Sequence, residues 1–138
     1  MLFELSDPST EIGLRDKTLL CFMYASGMRA QEVCDMTVGD IIFYTDRAGI
    51  NVHGKGQKMR RIGIPKSAAD MLKKYIEHRG ISALKERHVF SSQTHEKMTV
   101  SCIEEIAFAN GWLTKENLYS VNWLPADITI LDSVEKLL

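Results

Sequence analysis

A chain of 138 residues, 45% apolar and 25% charged, is long enough to bury one respectable core, so one domain is the expectation. No apolar run approaches the ~18–20 residues that span a bilayer, and the opening MLFELSDPSTE lacks the basic head and apolar centre of a secretory signal, so a cytoplasmic protein away from membranes is expected. The formal net charge of −1 excludes a polyanion held by the field of the whole molecule; such a partner needs a local basic face.

In chain order, Ile12 to Ser26 is the first periodic segment. Leu14, Leu19, Leu20, Met23 and Tyr24 recur at spacings near three and four, which predicts a helix buried on one side and stopped by Gly27. Ala30 to Met36 resumes a short helix with Val33 and Met36 inward. The character then changes. Ile41–Tyr44, Ile50–His53 and Arg61–Ile64 are short runs rich in β-branched residues, separated by the turn compositions TDRAG and GKGQK, and together predict a three-stranded antiparallel meander. Pro65 ends the sheet, and KSAADMLKKYIEHR predicts a helix with Ala68, Met71, Leu72, Tyr75 and Ile76 on one face and Gly80 as its stop.

HVFSS is either a short strand or an extended link. Thr99 or Ser101 can cap a further helix through Phe108, with Ile103, Ile106 and Ala107 inward and Glu104 and Glu105 at its favourable N-terminal end. ITILDSVEKLL suggests a last short helix. The fold class is therefore α+β, mainly helical with one small sheet. Cys21, Cys34 and Cys102 are odd in number, widely spaced and set in apolar surroundings, as buried reduced thiols are.

Two stretches carry candidate chemistry. In YASGMRAQEVCDM, Arg29 follows a glycine break with a fork of donors that fits a phosphate or carboxylate; the bland alternative pairs it with Glu32 or Asp35. In HGKGQKMRR, a glycine-flanked turn presents Lys55 at a hairpin tip, followed by Lys58, Arg60 and Arg61. The bland alternative here is a solvated hairpin whose charges keep an edge strand from pairing.

Together and in order, these pieces resemble the catalytic domain of the tyrosine recombinases, the phage-integrase family of DNA breaking and rejoining enzymes. GLRDKTLLCFMYASGMRAQEVCDMTVGDI resembles the family's first box, and INVHGKGQKMRRIGIP its β-hairpin. AADMLKKYIEHR, HVFSS and MTVSCIEEIAFAN then follow in the family's order of helix, extended segment and helix. The resemblance implies that Arg29 is the first active-site arginine, stabilising charge on the scissile phosphate. It implies that Lys55 is the hairpin lysine, a general acid for the leaving 5′-hydroxyl. Glu32 would support the arginine's neighbourhood, and Lys58, Arg60 and Arg61 would bind phosphate backbone with little sequence readout. DNA is the implied partner, with recombinase subunits or further copies of this chain as additional candidates. No metal and no cofactor are implied.

The sequence also departs from the family. No arginine follows Arg87 and no histidine follows His95, so the His-x-x-Arg box is missing. Tyr119 and Trp123 precede the place where that box is expected and do not match the family's nucleophile or its phosphate-binding tryptophan. Residues 1–110 are thus expected to form a partial, truncated catalytic domain without the N-terminal clamp, and residues 111–138 a divergent tail. Three functions stay open: a recombinase relative unable to cut alone, a non-catalytic DNA-binding or regulatory module of a recombination system, and a soluble protein with merely solvated hairpin charges.

Overall fold

The computed structural model describes residues 11–54 and 58–111. Helix α1, Glu11–Ser26, occupies the centre and packs against both α3, Lys66–Arg79, and strand β3, Met59–Pro65. The expected stripe is only half right, because Leu14 and Tyr24 are partly exposed while the consecutive run Thr18 to Met23 is buried. A helix covered from several directions loses the one-sided pattern of a surface helix.

Gly27 ends α1 with φ 67° and donates its N–H to the Met23 carbonyl at 3.0 Å. A Cβ at Gly27 would meet nothing within 4 Å, so the cost of adding one is conformational alone. Replacing Gly27 by alanine is therefore expected to destabilise the fold by ~1–2 kcal/mol, read as a lower urea midpoint with unchanged slope. Asparagine, which tolerates the left-handed region, should cost less.

Helix α2, Ala30–Asp35, follows at once and buries Ala30, Val33 and Cys34. A 3-10 turn at Val38–Asp40 leads into β1, Ile41–Phe43; β2, Arg47–His53; and β3, paired antiparallel in the order β1-β2-β3. Both longer strands begin earlier than the composition suggested. Tyr44 donates its N–H to Arg47 O at 2.8 Å, so the TDRAG turn is tight and β2 starts at Arg47. In the β2–β3 ladder Asn51 faces Arg61 and Val52 faces Arg60. Alternation along the strands sends Ala48, Ile50, Val52 and Ile64 into the core and Asn51, His53 and Arg61 to the opposite face.

Helix α3 ends on Gly80 at φ 71°, with the N–H groups of Gly80 and Ile81 returning to Glu77 O and Ile76 O. HVFSS is an extended link with a single bridge, Thr37 to His88, and a bond from Val89 N–H to Met36 O at 3.2 Å. Phe90 enters the core between Phe22 and Tyr75, with ring centroids 6.2 and 5.5 Å away. Helix α4, Val100–Ala109, is capped by Thr99, whose hydroxyl accepts from Cys102 N–H at 3.1 Å. Ile103, Ile106 and Ala107 are buried as expected, and Glu104 is buried with them.

Cys21 and Cys34 are buried free thiols, and burial pushes them up to about 11 and about 12, which keeps them protonated and unreactive near neutrality. No helix among the described residues is long and apolar enough to cross a membrane. The tail beyond Gly111, with Tyr119, Trp123 and the suggested last helix, lies outside the described residues.

Candidate active site

The α1–α2 junction positions the first candidate. Arg29 is the N-cap residue of α2, extended at φ −72°, ψ 153°, and exposed. Glu32, in the third helical position, accepts the Arg29 backbone N–H on Oε1 at 2.9 Å, which satisfies a donor that the helix itself leaves unpaired. The same carboxylate receives a two-pronged ion pair from Arg60 across 28 residues of sequence: Nη1 donates to Oε2 at 2.7 Å and Nη2 to Oε1 at 3.1 Å. The Glu32 side chain is 11% exposed and that of Arg60 52% exposed. The Arg60 guanidinium, ahead of the Arg29 amide, holds the Glu32 carboxyl below the usual range against the opposing effect of burial, and Glu32 raises Arg60 in turn.

The basic run at the hairpin is therefore not one patch. Arg60 faces the helices and reaches Glu32, whereas Arg61 points from the other face of the sheet and donates its Nε–H to the Asn51 side-chain oxygen at 3.0 Å. Lys58 is exposed, and its carbonyl accepts Gly54 N–H at 2.7 Å where the strands leave the hairpin loop. Lys55 lies outside the described residues. The structure thus brings Arg29, Glu32 and Arg60 together and separates Arg61 from them.

Two supporting contacts escaped the sequence reading. Asp40 accepts both the Thr37 N–H, at 3.0 Å, and the Thr37 hydroxyl, at 3.1 Å, and pairs with His53 Nε2 at 2.8 Å, fastening the start of the sheet to the end of β2. The spacing Thr37-x-x-Asp40 has the form of a capping box, so half of this contact was readable. Arg79 donates Nη1 to the carbonyls of His88 and Val89 at 2.8 and 2.5 Å, tying α3 to the extended link; no local pattern announces it. No group of His, Cys, Asp and Glu suited to a metal ion occurs among the described residues.

Comparison with known proteins gives this geometry its context. The sequence profile of the phage integrase family matches residues 2–118. The chain belongs to that family. Tyrosine recombinase XerC of Bacillus subtilis is 44% identical over 75 residues, 54% of this chain and 24% of that protein. Tyrosine recombinase XerD of Listeria monocytogenes is 37% identical over 76 residues, 55% and 25% of the two chains. This phage-integrase-family chain therefore spans about a quarter of the length of these relatives in the matched region.

Among solved structures, XerH recombinase in a pre-cleavage complex with its difH substrate matches with a TM-score of 0.64 at 21% identity, over 84% of this chain and 36% of that one. XerA recombinase matches with a TM-score of 0.64 at 19% identity, over 99% and 50%. The fold of the described residues, four helices and a three-stranded antiparallel sheet, is that of the tyrosine-recombinase catalytic domain in part.

Proposed function

We propose that this chain serves site-specific DNA recombination, contributing the part of an integrase-family catalytic domain that carries Arg29 and the hairpin lysine Lys55. The observation that carries the proposal is the Arg29 turn: an exposed arginine whose backbone N–H is held by Glu32, in the stretch that resembles the family's first box. A guanidinium carried on a held backbone can neutralise charge building on the non-bridging oxygens of a phosphodiester. Lys55 would protonate the leaving 5′-hydroxyl from the hairpin. The neighbouring XerH structure, a recombinase bound to its DNA substrate, supports DNA as the partner.

Because the His-x-x-Arg box is missing from residues 1–138, a second reading has a specific feature in its favour: the chain occupies DNA as a non-catalytic module of a recombination system. Both readings require DNA binding dominated by phosphate contacts. Binding to duplex DNA is expected to be weak, largely independent of sequence and steeply reduced by salt. Lys58→Ala and Arg61→Ala should each flatten the plot of log affinity against log salt by about one unit. Affinity that ignores salt, measured by fluorescence anisotropy, would leave neither reading standing.

A further inference from the structure

We propose that Glu32 and Arg60 form a strut that holds the hairpin arm against the Arg29 turn, so that Arg60 is a positioning residue and not a phosphate contact. Its place beside an active site rests on the DNA reading above; the strut itself belongs to the free protein.

Arg60 stands two residues after Lys58, at the start of the arm whose loop carries Lys55. Its register opposite Val52 turns it toward the helices, and its fork meets a carboxylate that is mostly covered. That carboxylate is already the acceptor for the Arg29 N–H, so one side chain ties together the backbone under Arg29 and the root of the hairpin. A covered carboxylate stripped of its counter-ion is costly, which favours keeping the pair closed. A DNA phosphate that approached Arg60 would also meet the Glu32 charge at 2.7 Å from the same guanidinium nitrogen, whereas the Arg61 guanidinium bonds only the neutral Asn51 side chain among the described residues. The charged groups facing Glu32 are Arg29 from its own helix end and Arg60 from β3; Lys97, ahead of α4, is taken by Asp35 instead.

The test is amide exchange in the free 138-residue chain, with β2 and β3 amides compared against those of α1. Glu32→Gln keeps an oxygen to accept the Arg29 N–H but sets an amide NH₂ against the Arg60 donors. Arg60→Ala removes the fork, and Arg60→Lys keeps the charge without it. All three should speed exchange in the strands by about fivefold, the scale of a half-exposed two-pronged ion pair, and leave α1 unchanged. The double variant Glu32→Gln with Arg60→Ala should add nothing to either single one.

In the unaltered chain the extra protection should hold from neutral pH to the ordinary glutamate value of 4.5 and be lost as pH falls from there through the depressed Glu32 value, a step that should be smaller in the Arg60→Ala variant. In DNA titrations Arg60→Ala should keep the salt slope that Lys58→Ala flattens. Strand exchange unmoved by Arg60→Ala or Glu32→Gln, or a salt slope reduced by Arg60→Ala as far as by Lys58→Ala, would overturn the strut. Failure of the chain to bind DNA would overturn the functional reading and leave the exchange result to decide the strut alone.

Discussion

Incubated with a nicked duplex that traps covalent intermediates, the 138-residue chain is expected to yield no protein–DNA adduct. Transfer of a phosphoryl group from DNA to tyrosine needs an in-line nucleophile and several donors fixed around the phosphate at once. On the proposed reading Arg29 and Lys55 would supply part of that charge and part of the acid–base chemistry, while no arginine follows Arg87 and no histidine follows His95. Loss of one preorganised electrostatic donor typically costs ~10²–10³ in rate. On the resemblance, the family's second arginine, its histidine and its tyrosine nucleophile find no match in these 138 residues. Such groups act as a unit, so the surviving pair keeps no proportionate share of the activity. The gel-shift assay under denaturing conditions reads this directly. An adduct that vanishes in Tyr119→Phe would contradict it and identify Tyr119 as a nucleophile.

The largest stability effect is expected at Phe90. This ring is 1% exposed although it sits in a link with one bridge and no strand of its own, held between Phe22 and Tyr75. Phe90→Ala should cost ~3–5 kcal/mol, combining lost transfer energy with the cavity left between two helices that cannot both move inward. Where that variant does not fold, Phe90→Leu should fold with a loss of ~1–2 kcal/mol in urea titration. A loss below that of Gly27→Ala would mean that the link is peripheral and that the contact with Phe22 and Tyr75 contributes little.

The pieces that were legible in the sequence are those with local causes. Pro65 and Gly80 bracket α3 because one cannot donate a ladder bond and the other takes a left-handed turn, and the observed ends, Lys66 and Arg79, fall directly inside them. Thr99 was one of two capping candidates, and its hydroxyl makes the bond. The face of α1 was less legible, since Cys21 and Phe22 are buried by elements that follow them by some 40 to 60 residues.

KMRR read as a single basic cluster for a similar reason. Only once β3 is seen to begin at Met59 does the pleat divide Arg60 from Arg61. The chain belongs to the family it resembles, and the pairing of Arg29 with Glu32, open in the sequence as a capping contact, is present as a bond from the Arg29 N–H. What Arg60 pairs with depends on a helix 28 residues earlier, and no spacing rule reaches that far.

The central position of α1 bears on how the chain can be divided. Its buried run is sheltered by β3 and α3, and Phe22 is closed over by Phe90. A cut anywhere between Ser26 and Met59 would strand the buried run Thr18 to Met23 without its roof, and a fragment ending before Phe90 would lose the ring between Phe22 and Tyr75. A polypeptide that shelters α1 in this way therefore includes β3, α3 and Phe90, and the Arg29 turn, three residues past that helix, is presented in its native form only together with them.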